Sequence, residues 1–146
     1  MKKVIRMMVL MAALPLVAMA QGYDGLDAAI SNLSRGFGNG ESRAIVAGLG
    51  ESDQVRLQFP GLIEESDGFF GRDQASYLLE KLFAATKPGG FERLNERKFS
   101  REGQYRIEAN WTIDRGGRSE VVPLYLTLQS KGDRWFLASA QSVSKK

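Results

Sequence analysis

An unbroken alternation of side chains over residues 105 to 113 is the feature that most limits how this chain can fold. Such a period of two is typical of a strand with one buried face and one exposed face. The Asp-Arg-Gly-Gly stretch at 114–117 then predicts a hairpin turn into a second strand, 121–129. The alternating residues are Tyr105, Ile107, Ala109, Trp111 and Ile113 against Arg106, Glu108, Asn110 and Thr112.

The other elements fall into helices first and strands afterwards. Apolar residues at helical spacing predict helices over 26–37, 44–49 and 75–83, and alternation predicts a strand over 55–59. Further strands are predicted over 91–99 and, after a turn at 130–133, over 135–143. This order indicates an α+β fold, with three helices of the N-terminal half packed on one face of an antiparallel sheet.

The N-terminus has the pattern of a secretory signal. Lys2, Lys3 and Arg6 precede an uncharged apolar run over 7–17, which is too short for a membrane span, and Ala18-Met19-Ala20 predicts cleavage before Gln21. We therefore expect a signal peptide at 1–20, a single domain at 21–146 with no later membrane span, and a periplasmic or extracellular location.

Cleavage also changes the charge. The formal charge of +3 comes from 20 basic and 17 acidic residues. The signal holds all three excess cations, so the mature chain is neutral. A neutral domain is a poor binder of phosphate backbones, and we expect no nucleic-acid partner.

The glycines around residues 68–71 could be read as a phosphate cradle or as a turn. A cradle of the Walker type needs Gly-Lys-Ser/Thr, whereas this chain has Gly71-Arg72-Asp73. We therefore predict a turn into the third helix, with Asp73 as its N-cap residue. The acidic stretch 64–67 lacks the spacing of a calcium loop and predicts a solvated loop.

Three short motifs resemble one superfamily. The helix beginning Gly71-Arg72-Asp73-Gln74-Ala75 is similar to the "GR-x-A…LF" helix of SnoaL-like domains, and residues 132–137 resemble their "G-x-W-x-I" strand. The chain thus resembles the nuclear-transport-factor-2-like (cystatin-like) superfamily, above all domain-of-unknown-function family 4783, through Gln74-Ala75, the Phe91 strand and 103–107. This resemblance implies a cone of curved sheet and three helices, often dimeric and often with an apolar pocket. It implies no single activity.

The chain contains no histidine and no cysteine, which excludes Ser-His-Asp, Cys-His and imidazole chemistry and the usual zinc sites. We expect no metal and no cofactor. Ketosteroid-isomerase catalysis needs neither residue, because it uses an aspartate base and a tyrosine-containing oxyanion hole. The resemblance places those two positions at Phe59 and near Leu33, which are both hydrocarbon. No catalytic residue is therefore predicted.

A ligand pocket is the first of two candidate sites. Trp111 shares a strand face with Tyr105, and that face would look into the cone, where Phe59 and Leu33 would join it. Plain core packing of Trp111 and a contact to a small apolar ligand are both open. Tyr77 lies opposite the apolar stripe of its helix and is predicted to be at the surface.

The last two strands offer the second candidate site, because residues 121–130 and 135–144 contain no charged side chain. A charge-poor face with tyrosine is typical of an interface, although a mildly polar exposed face fits as well. We expect Thr127→Lys to disrupt a dimer and Arg106→Glu, on a face already charged, to leave it intact. The interface candidates are Tyr125, Thr127, Gln129, Ser139 and Gln141.

Together these features predict an exported, non-catalytic domain that acts by binding or self-association. A homodimer is the expected partner, with a small apolar ligand or an envelope protein as others. The alternative is an isomerase- or hydratase-type enzyme that uses carboxylate and tyrosine groups in an apolar pocket. A weaker one is an accessory subunit of an envelope complex.

Overall fold

The computed structural model describes residues 25–63, 67–99 and 103–143. Helix α1 spans 25–39, and the other two helices are α2 (Ser42–Ile45) and α3 (Arg72–Thr86). The strands are β1 (Val55–Gln58), β2 (Gly68–Phe70), β3 (Pro88–Phe99), β4 (Gln104–Arg115), β5 (Arg118–Lys131) and β6 (Arg134–Ser142). Among the described residues, no helix combines the length and apolar character needed to cross a membrane.

All six strands form one sheet in the order β2-β1-β6-β5-β4-β3. Strands β3 to β6 make an antiparallel meander, as the hairpin turns predict, and β1 pairs antiparallel with β2. The sheet is nevertheless mixed, because β1 enters beside the last strand and runs parallel to β6. The predicted α+β fold, with three helices packed on a curved sheet, is confirmed, and the sheet is unclosed.

The helices cover one face of the sheet, which we call the inner face. The odd-numbered residues of β4 point to it, so Ile107, Trp111 and Ile113 are buried there. The predicted stripe of α3 also faces the core, since Ala75, Leu78, Leu79, Leu82 and Phe83 are buried. Gly48 allows the turn after α2 to approach β6, because a Cβ atom there would overlap the backbone of Trp135. The opposite side of the sheet is the outer face.

The start of α3 corrects one expectation. Its N-cap residue is Gly71, with extended backbone and no side-chain cap, and Asp73 lies inside the first turn. The Asp73 side chain is fully exposed and its contact with the Arg72 guanidinium is 3.8 Å long. Asp73 is therefore not the N-cap, because the helix begins at Arg72, two residues before the start that an Asp73 cap implies.

Other differences concern short elements. Residues 68–70, predicted as part of a turn, form the edge strand β2, and α2 has a single helical turn where a longer helix was predicted. The predicted signal peptide and most of the acidic stretch 64–67 lie outside the described residues. Tyr77 is 58% exposed, as predicted.

Candidate functional site

Trp111 lies at the centre of an aromatic cluster on the inner face. Its ring is 5.6 Å from that of Phe37 and 5.9 Å from that of Phe83, both at steep angles, and Phe91 stacks on Phe37. The Trp111 indole N–H donates to the Phe37 carbonyl oxygen at 2.8 Å. Because its ring is fully buried and its only donor is satisfied, Trp111 stabilises the packing of α1 on the sheet.

The four predicted pocket residues do not share one environment. Trp111, Phe59 and Leu33 belong to one buried hydrophobic core, whereas Tyr105 is half-buried and packs against it. Leu33 also lines a hollow of about 300 Å³ between α1, the turn after α2 and β6, and the other three residues are not among its lining residues. The packing favours the core interpretation of Trp111, and a ligand contact by these residues stays a prediction.

Tyr105 provides the nearest approach to an acid–base pair. Its hydroxyl donates to the Glu96 carboxylate at 2.5 Å, and Arg93 pairs with the other Glu96 oxygen at 2.9 Å. Burial and the bond to Glu96 raise the pKa of Tyr105 to about 12. The tyrosine therefore holds its proton more tightly than usual, and the carboxylate is already paired, so the arrangement is poorly suited to proton transfer.

A buried carboxylate, Asp53, was not singled out by the sequence because it lies in a loop without periodicity. Its oxygens accept from the Gly50 N–H at 2.8 Å and pair with Lys131 at 3.2 Å and Arg134 at 3.1 Å. The Gly50 N–H, helped by the two cations, holds the pKa of Asp53 below its usual value of 3.8. Both oxygens are occupied, so Asp53 ties the loop before β1 to the β5–β6 turn. In the described segments, no group of acidic side chains is arranged to hold a metal ion.

The predicted interface residues lie together on the outer face. In the β5–β6 ladder, Thr127 is opposite Ser139 and Tyr125 is opposite Gln141. Tyr125 is 46% exposed and the other three are half-buried. Gln129 lies further along β5, beyond a bulge, and its amide donates to the Gly103 carbonyl oxygen.

The charge distribution of this face corrects a second expectation. In the β4–β5 ladder, Arg106 is directly opposite Thr127 and Glu108 is directly opposite Tyr125. These two charges therefore belong to the same surface as the neutral strands. Arg106→Glu is consequently not a control for Thr127→Lys. Counting outward from the two-residue turn at Gly116-Gly117 would have revealed this pairing from the sequence.

A groove of about 370 Å³ crosses the outer face beside Tyr125. The Arg106 guanidinium lies 4.4 Å from the Phe99 ring at one side of it. Arg97 is opposite Arg106 in the β3–β4 ladder, and in the described part of the chain no carboxylate pairs with either arginine. The residues that line the groove include Asn95, Arg97, Phe99, Arg106, Glu108, Tyr125 and Thr127.

No family model matches the chain, and no curated protein matches it in sequence. Solved structures do match its fold, and they define it as nuclear-transport-factor-2-like. A protein of that class from Anabaena variabilis superposes with a TM-score of 0.63 and 15% identity, covering 86% of this chain and 90% of the other.

The similarity extends to the family expected from the residues. A DUF4783 family protein from Bacteroides uniformis has a TM-score of 0.64 at 12% identity and covers 80% of this chain and 96% of its own. One from Bacteroides fragilis has a TM-score of 0.62 at 17% identity and covers 78% and 96%. The predicted similarity of fold to these proteins is confirmed.

Proposed function

We propose that this chain is an exported, non-catalytic domain that acts through the outer face of its sheet and associates there with a second copy. The observation that carries the proposal is the cluster of Tyr125, Thr127, Ser139 and Gln141 on two adjacent strands. An exposed tyrosine among neutral polar groups is typical of interface centres, where charged residues are depleted.

The inner face supports the non-catalytic part of the proposal. Its centre is filled by the aromatic cluster around Trp111, and the Tyr105–Glu96 pair at the edge is held by Arg93. A pocket enzyme of the isomerase or hydratase type needs a free carboxylate near a bound substrate. The outer face, in contrast, presents side chains that a partner can reach.

Thr127→Lys tests the interface. The new ammonium group would be buried without a counter-ion, which costs several kcal/mol in an interface, so a dimer should shift to monomer while the fold persists. Ala85→Lys makes the same charge change on the exposed side of α3 and should leave association unaltered. Sedimentation velocity compares both variants with the parent.

A parent that stays monomeric at high concentration contradicts self-association. If the parent and both variants all sediment as dimers, the outer face is not the site of association.

The export part is tested separately, since mass spectrometry of the exported protein should find Gln21 as the first residue.

A further inference from the structure

The outer face carries two parallel rows of side chains that run across the strands. Cross-strand pairing places the residues of each row side by side, and successive rows are two residues apart along each strand. The first row is Phe69, Arg56, Ser139, Thr127, Arg106 and Arg97, and the second is Gln58, Gln141, Tyr125, Glu108 and Asn95.

The two rows differ in charge. The first row holds three arginines and no acid, whereas the second holds one carboxylate, Glu108, and no cation. Arg106 and Arg97 lie directly opposite each other, and like charges in that position destabilise a sheet unless something compensates them. The Asn95 side chain donates to Glu108 at 3.2 Å, and among the described residues no cation lies within ion-pair distance of this carboxylate.

We infer that a second copy docks on this face with its two-fold axis running across the strands between the two rows, so that Arg106 of each copy pairs with Glu108 of the other. This inference rests on the self-association proposed above and specifies its register. A two-fold axis makes contacts reciprocal, so one charge complementarity is used twice.

Two alternative registers would bring arginines of the two copies together. An axis running along a row would place first row on first row, with each arginine meeting its own copy. An axis along β5 would bring β3 over β1 and oppose Arg97 to Arg56. The twist between packed sheets displaces the facing residues least at the centre of the interface, and Arg106 and Glu108 lie on β4, next to the central pair Thr127 and Tyr125.

The groove supports the same register. Row-on-row docking brings the Tyr125 ring of one copy over Thr127 of the other, which lines the groove of about 370 Å³. An exposed aromatic side chain that enters a facing groove is the usual anchor of an interface. Each copy supplies one ring and one groove.

The experiment uses charge reversal in the full mature chain, followed by sedimentation velocity. R106E and E108R each replace two attractive contacts by two repulsive ones, and each should raise the dimer Kd at least about tenfold. An equimolar mixture of the two variants should form a heterodimer with a Kd within about threefold of the parent value, because both reciprocal contacts become attractive again. R115E removes an ion pair with Glu120 outside both rows and should sediment like the parent.

The mixture distinguishes a contact between two copies from an effect within one chain. A variant that fails to associate because of a change within its own chain would not form a dimer when the other variant is added. A dimeric parent with no heterodimer in the mixture, or with single reversals that leave the Kd unchanged, overturns the register and leaves self-association standing. A monomeric parent overturns both. A denaturation midpoint for each variant shows that the chains tested are folded.

Discussion

The inner and outer faces of the sheet are made by the same strands, yet their side chains have different surroundings. On β4, Trp111 is fully buried and hydrogen-bonded to α1, while its neighbours at even positions are exposed or half-buried. On β5, Leu126 is 1% exposed and Tyr125 is 46% exposed. One step along a strand therefore changes the physical role of a residue from packing to contact with solvent or a partner.

This difference separates two properties that are often linked. Substitutions on the inner face act on the free energy of unfolding, because they remove packed surface. Substitutions on the outer face change what the folded domain can contact and leave the core intact. The four predictions below test this division.

The largest effect is expected at the centre of the inner face. Trp111→Ala should lower the free energy of unfolding by about 3–5 kcal/mol, through the cavity left by the ring. Tyr125→Ala on the outer face should change it by less than about 1 kcal/mol, as at other exposed sites. Denaturant unfolding of both variants at a concentration where the parent is monomeric gives the two values. Equal losses of unfolding free energy in the two variants would contradict the distinction between inner-face and outer-face substitutions.

A smaller effect is expected from the Asp53 cluster beside the inner face. Its lowered pKa means that the stabilisation is present above the usual value of 3.8 and is lost as the pH falls through the folded value. Asp53→Asn should lower the denaturation midpoint at neutral pH, and the curves of parent and variant should converge in acid. A constant gap down to the most acid pH would show that the carboxylate charge plays no part.

Substitution of Tyr105 tests whether the edge of the inner face is suited to proton transfer. Tyr105→Phe should cost no more than about 1 kcal/mol, the usual net value of a hydrogen bond. The ultraviolet titration difference between parent and variant should have its midpoint at about pH 12, because burial and Glu96 raise the Tyr105 pKa. A midpoint near neutral pH would instead indicate a tyrosine that can exchange protons.

The smallest effect is expected at the exposed start of α3. Asp73→Ala and Asp73→Asn should both leave the denaturation midpoint unchanged within error, because Gly71 is the N-cap and Asp73 is solvated. A clear loss in the alanine variant that asparagine repairs would restore the capping role.

Periodicity predicted the parts of the fold that depend on local pattern. The alternation over 105–113 indicated both the strand and which residues are buried, and the stripe from Ala75 to Phe83 indicated the buried side of α3. Strand β2 escaped detection because three residues starting at Gly68 are too few to show a period of two. The Asp73 assignment was wrong because a helix can begin before its first apolar residue.

The candidate sites were harder to predict, since they depend on residues far apart in the chain. The bond from Trp111 to Phe37 spans 74 positions, and no local pattern indicates which carbonyl satisfies the indole. The neutral residues of β5 and β6 were recognised, yet their charged neighbours Arg106 and Glu108 were treated as a separate surface. Cross-strand register, which a turn sets from a distance, was the missing information.

The sheet is not closed, and among the described residues its outermost strands, β2 and β3, each pair on one side only, which bears on how the chain behaves at high concentration. An uncovered edge strand is a template with which strands of other chains can pair, and this pairing can continue without limit. Strand β2 offers only three residues, while β3 is interrupted by bulges and carries Glu92, Arg93, Glu96, Arg97 and Lys98 over its exposed stretch. The shortness of β2, and the charges and irregular backbone of β3, make both edges poor seeds for fibrils, so concentrated solutions of this protein should contain oligomers of small and defined size.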